Sequence, residues 1–144
     1  MPERRRIAAL KLIQRIRQHE IDGHAARMTA LRAEQARVQA QIETLDTQVN
    51  REGRVTIPET AGYLASFLRA ARTRRARLEA ELRRLDTQAE AIEAELLESF
   101  RDAKVNDTVL DRARDGQKAH EDRQEAAATE EVARNVYLRQ SRES

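Results

Sequence analysis

The sequence predicts an all-α protein: a two-helix antiparallel coiled-coil hairpin whose C-terminal helix is the longer. Three observations lead there. Of the 144 residues, 36% are charged and only 3% aromatic, with four glycines, two prolines and no tryptophan. That is the composition of long helices that bury a thin apolar seam rather than a thick core. Apolar residues recur at alternating spacings of three and four along most of the chain, the mark of a heptad seam. The pattern stops once, at "REGRVTIPETAG", which spans residues 51–62 and holds Pro58, Gly53 and Gly62.

The first helix is expected over about residues 3–51. Its heptad positions read Ile7, Leu10, Gln14, Arg17, Ile21, His24, Met28, Leu31, Gln35, Val38, Ile42, Leu45 and Val49, nine of them apolar. Ile13 and Ile16 lie one residue ahead of this frame, and Gly23 is a point where the helix loosens. The bend is expected at about 52–58. Gly53 suits a left-handed cap at the end of the first helix. "TIPE" then fits a helix start, with Thr56 as N-cap, Pro58 in the first turn and Glu59 reaching back.

The second helix is expected over about 59–140. Its seam reads Ala61, Leu64, Leu68, Ala71, Arg75, Leu78, Leu82, Leu85, Ala89, Ile92 and Leu96. It thins through Ser99, Ala103, Asn106, Leu110 and Ala113 and is gone past Gln117. Gly116 is a second possible break. At 1.5 Å per residue the helices span roughly 70 Å and up to about 120 Å. Folding the chain about residue 55 sets Ile7 opposite Lys104 and makes Gln35 and Arg75 level, a polar layer with Glu34 near Arg75. The whole chain, 1–144, reads as one elongated helical hairpin, monomeric because its two seams are spent on each other.

Charge is arranged in blocks. The formal net charge is +2, but residues 1–18 and 51–84 are each net +5, while 19–50 and 85–144 are net −2 and −6. Cysteine is absent, which excludes disulfides and thiolate chemistry. No apolar run is long enough for a transmembrane helix, and the apolar part of the basic N-terminus is cut by Lys11, Arg15 and Arg17, unlike a secretory signal. These features place the protein in the cytoplasm without direct membrane insertion.

The chemistry of sites is sparse. His19, His24 and His120 form no pair at metal-ligand spacing, and "HEDRQ" lacks the second histidine of a zinc-protease helix. Phosphate loops and nucleophile elbows are absent, and Glu90 and Glu93 are spaced as a solvated helix surface. The reading is therefore not an enzyme, with no catalytic residue, cofactor or metal. The basic runs remain. "RAARTRRAR" carries Arg69, Arg72, Arg74, Arg75 and Arg77, either a solvated face or a docking surface for an acidic partner. It lacks interleaved aromatics and its arginines point several ways round a helix, against nucleic acid. Tyr63 and Phe67, four apart, are core packing or an exposed contact patch.

The opening "LKLIQRIRQHEIDGHAARM", a Leu/Ile–Arg amphipathic run passing into Ala- and Arg-rich helix, resembles the N-terminal segments of the central stalk proteins of type III secretion. These are the FliJ family of flagella and the YscO/SctO family of injectisomes. The resemblance covers the architecture of the whole chain. It implies a stalk linking the hexameric secretion ATPase to the cytoplasmic domain of the export gate, peripheral to a membrane-embedded apparatus, with secretion chaperones as further partners. Arg4, Arg5, Arg6, Lys11 and Arg15 are the expected ATPase-facing residues. Arg69, Arg72, Arg74, Tyr63 and Phe67 are the expected gate-facing ones. A generic coiled-coil adaptor and a chaperone-like binding protein are the alternatives.

Overall fold

In the computed structural model, which describes residues 2–54 and 58–143, two long helices are packed against each other. Helix α1 runs Pro2–Glu52 and helix α2 runs Ala61–Glu143, preceded by a one-turn 3-10 segment at Pro58–Thr60. No described helix is long and apolar enough to cross a membrane. The expected N-cap, Thr56, lies outside the described residues.

Helix α1 ends without a left-handed cap, contrary to the expectation for Gly53. No described glycine has positive φ. The Gly53 amide donates to the Val49 carbonyl at 2.9 Å, so the helical bonding pattern carries on into the turn and needs no left-handed residue. Neither Gly23 nor Gly116 breaks its helix. A Cβ at either would meet nothing within 4 Å. Each glycine therefore costs backbone entropy and returns no packing. Gly23→Ala and Gly116→Ala should each stabilise the protein by about 1 kcal/mol, read as a higher denaturant midpoint at unchanged slope.

The chain divides into two compact units. One comprises Glu20–Ser99. There, Ile21, Met28, Leu31, Val38, Ile42 and Leu45 of α1 are buried with Ala71 and Leu85 of α2. Leu78, Leu82, Ala89 and Ile92 pack against a centre formed by Leu31, Val38, Ile42 and Leu85. Every one of these residues stands on the heptad positions read from the sequence. The polar heptad residues meet acids on the other helix: Arg75 donates to Asp46 at 2.8 Å, Gln35 to Asp86 at 2.8 Å, and His24 lies 3.4 Å from Glu95. These pairs make the two segments antiparallel.

They also correct the register. Gln35 and Arg75 are not level, and Glu34 pairs with Arg37, not with Arg75. Paired residue numbers add to about 121 instead of about 111. The reason is that apolar residues recur at spacings of three and four, so a slide of seven plus three residues, about 15 Å, again lays apolar positions against apolar ones, and the apolar pattern alone accepts it. The non-repeating polar residues choose between the registers.

The Arg75–Asp46 pair has a measurable consequence. The hydrogen bond from Arg75 holds the Asp46 carboxyl below its ordinary range, its charge adding to the effect. A carboxyl depressed on folding contributes stability above its unfolded value, about 3.9, and loses it as pH falls through the folded value. The gap in melting temperature between wild type and Asp46→Asn should therefore be present at pH 7 and close by about pH 2.

The other unit comprises Met1–His19 with Phe100–Ser144. Leu110, 1% exposed, and Ala113 are its buried apolar residues. Asn106 is buried as well, and its side-chain amide donates to the Leu10 carbonyl at 3.1 Å. Gln14 donates to Asp107 at 3.0 Å, and Arg17 lies 3.9 Å from Asp102. Here too the segments are antiparallel and polar heptad residues are matched to acids. Burial on α2 ends at Gln117, and residues 118–143 remain helical with every side chain exposed.

Candidate partner-binding surfaces

The expected ATPase-facing residues occupy the first four turns of α1, where all five are exposed. They do not share one face. Spacings of seven and four put Arg4, Lys11 and Arg15 on one stripe. Arg15 lines a groove of about 300 Å³ with Gln14, Gln18, Ala103 and Asp107. Arg6 lies on the other side of the helix pair, in a cleft of about 500 Å³ shared with Glu3, Val109, Arg112, Gly116, His120 and Arg123.

Helix α2 alone supplies the expected gate-facing residues, and these are also divided. Tyr63 is 73% exposed and Phe67 half-buried. Arg74 lines a groove with Arg37, Gln41 and Leu45, on the same flank as Phe67. Arg72 lines a different groove, with Asp46, Val49, Leu68 and Arg75. Arg75, one of the same basic run, is spent internally on Asp46 and Glu79. The run "RAARTRRAR" thus presents two flanks with a structural arginine between them.

The exposed apolar residues beside the basic terminal segments are a surface that the sequence reading only touched. Leu12, Ile13 and Ile16 on α1 and Val105 on α2 are large and exposed. The signal was the drift of Ile13 and Ile16 off the heptad frame. A residue ahead of the frame is rotated out of the seam onto its flank, so the drift marks an exposed stripe.

Chemically, these grooves offer guanidiniums, amides and short aliphatic walls, suited to recognising carboxylates and helix faces. Among the described residues no group of three or more His, Asp or Glu side chains is placed to hold a metal ion. No family model, no curated protein and no solved structure matches the chain.

Proposed function

We propose that the protein is a central stalk of a type III secretion export apparatus, flagellar or injectisome, working as an antiparallel coiled-coil hairpin. In this reading its terminal segments engage the hexameric secretion ATPase and the segment near the bend engages the cytoplasmic domain of the export gate. The protein is cytoplasmic, peripheral to the membrane-embedded apparatus and monomeric when free, with secretion chaperones as further partners.

The observation that carries the reading is the uncovered end of α2. Residues 118–143 stay helical although no side chain among them is buried, running on past the arginine-rich start of α1. The stretch is polar up to Thr129 and then exposes Val132, Val136, Tyr137 and Leu138; an uncovered helix of this kind is either held by its own surface pairs or completed by a partner. Gln117, just before that stretch, donates to Glu121, and the Thr129 hydroxyl donates back to the Glu125 carbonyl. A long charged helix of this kind suits contact with the inner wall of a ring.

The test uses a purified type III secretion ATPase. The full chain should co-migrate with it and raise its turnover, while the free protein sediments as a monomer. A dimer that leaves turnover unchanged would replace this reading with a coiled-coil adaptor, and capture of unfolded secretion clients without ATPase would favour a chaperone-like role.

A further inference from the structure

On α2, Val105, Val109, Arg112, Gly116, Ala119 and Arg123 follow one another at alternating spacings of four and three. They form a second heptad stripe, displaced by one flank from the seam that packs on α1, and they run past Gln117, where that seam ends. Their composition is unlike the rest of the helix. Between residues 103 and 129 there are six acids, Asp107, Asp111, Asp115, Glu121, Asp122 and Glu125. None falls on the stripe over these turns, and acids close it at either end: Asp102 three residues before Val105, and Glu130 four after Ala126, which continues the stripe. The stripe instead carries valines, two small residues and two arginines.

The three-dimensional neighbours extend the same character. Arg6 of α1 joins Arg112 and Arg123 in the cleft of about 500 Å³, with His120 between and Glu3 as its one carboxylate. Arg6, Arg112 and Arg123 have no hydrogen-bond or ion-pair partner among the described residues. This contrasts with the seam of the same unit, where Gln14 and Arg17 are matched to Asp107 and Asp102. Ile13 and Ile16, exposed on α1, flank the same side of the helix pair as Val105, which is 64% exposed. Gly116 and Ala119 leave the backbone low, which permits a third helix to approach closely.

We infer that this face docks an acidic amphipathic helix of another protein, its apolar stripe laid on Ile13, Ile16, Val105 and Val109 and its carboxylates on Arg6, Arg112 and Arg123. Charge complementarity decides the occupant. Three unmatched guanidiniums beside apolar side chains call for carboxylates at one end of an apolar helix face, and bidentate Arg–carboxylate pairs give both strength and direction. The inference is independent of which machine the protein serves.

The experiment uses the full chain and two stapled synthetic helices as probes. One carries leucines at three/four spacing flanked by glutamates, and the other is the same helix with lysines for glutamates. Fluorescence anisotropy should show binding of the acidic probe at least tenfold tighter than of the basic one. Arg112→Glu with Arg123→Glu should weaken the acidic probe at least tenfold. Arg114→Glu with Lys118→Glu, an equal charge change on other faces of the same turns, should leave it within about twofold. Ile16→Asp should weaken it as well, with helicity retained by circular dichroism. The inference is overturned if both double variants weaken the probe equally, since net charge alone would then explain binding. Heparin binding as tightly as the acidic probe and ignoring Ile16→Asp would overturn it in favour of a polyanion. Self-association lost in the same variants would assign the face to a second copy.

Discussion

Leu85→Ala should destabilise the protein by about 2–4 kcal/mol in chemical denaturation. Leu85 is 2% exposed and closes the centre formed with Leu31, Val38 and Ile42. Truncating it removes the transfer energy of a leucine side chain and opens a void between two helices. A seam between only two helices has solvent on both flanks, so it can partly collapse or admit water. The cost therefore belongs in the lower and middle part of the range for buried leucines. Leu97→Ala is the control on the same helix: Leu97 is exposed, and its loss should stay within about 0.5 kcal/mol. If the two variants unfold alike, the heptad seam is not what holds this unit together.

The seam was legible in the sequence because burial follows spacing directly. Among the described residues, every buried apolar residue, from Ile21 to Ala113, stands on a heptad position, and so do the two buried polar ones, Ser99 and Asn106. Gly23, expected to loosen α1, and Gly116, expected as a break in α2, both lie in continuous helix, because a helix of this length loses only about 1 kcal/mol to one glycine. The register was not legible. Spacings of three and four make neighbouring registers alike in apolar contacts, and a fold assumed symmetric about the bend lands about ten residues away from the one adopted. The information lay in the polar interruptions. Gln14, Arg17, His24, Gln35 and Arg75 break the seam, and each is matched to an acid across the helix pair. Exposed pairs of this kind add little to stability singly, but a wrong register would bury or orphan several of them together. The basic surfaces were legible only as charge. The sequence located the basic runs, but not that Arg6 parts from Arg4, Lys11 and Arg15, or Arg72 from Arg74. A run of arginines is one block in sequence and two flanks on a helix.

That separation of flanks sharpens the functional prediction. Reversing Arg4, Arg5 and Arg6 to glutamate should abolish most stimulation of a secretion ATPase while leaving affinity for the export gate nearly intact. Reversing Arg69, Arg72 and Arg74 should do the opposite, weakening gate binding by about tenfold or more at low salt, the steering and contact terms both being lost. Neither triple touches a buried residue, so folding should survive, and circular dichroism checks that. Both losses should shrink as salt rises, because exposed charges are screened over about 10 Å at 0.1 M. The single variants then divide the gate set. Arg74 shares its flank with Phe67 and the groove of Arg37, Gln41 and Leu45, whereas Arg72 opens onto the groove that holds the Arg75–Asp46 pair. A gate domain that grips one flank will respond to Arg74→Glu or to Arg72→Glu, not to both, and Phe67→Ala should follow Arg74. Equal responses to the two singles would mean that the gate reads only the summed charge of this region. No response to either, with ATPase stimulation also unchanged by the Arg4–Arg6 reversal, would remove the two-ended stalk and leave the adaptor.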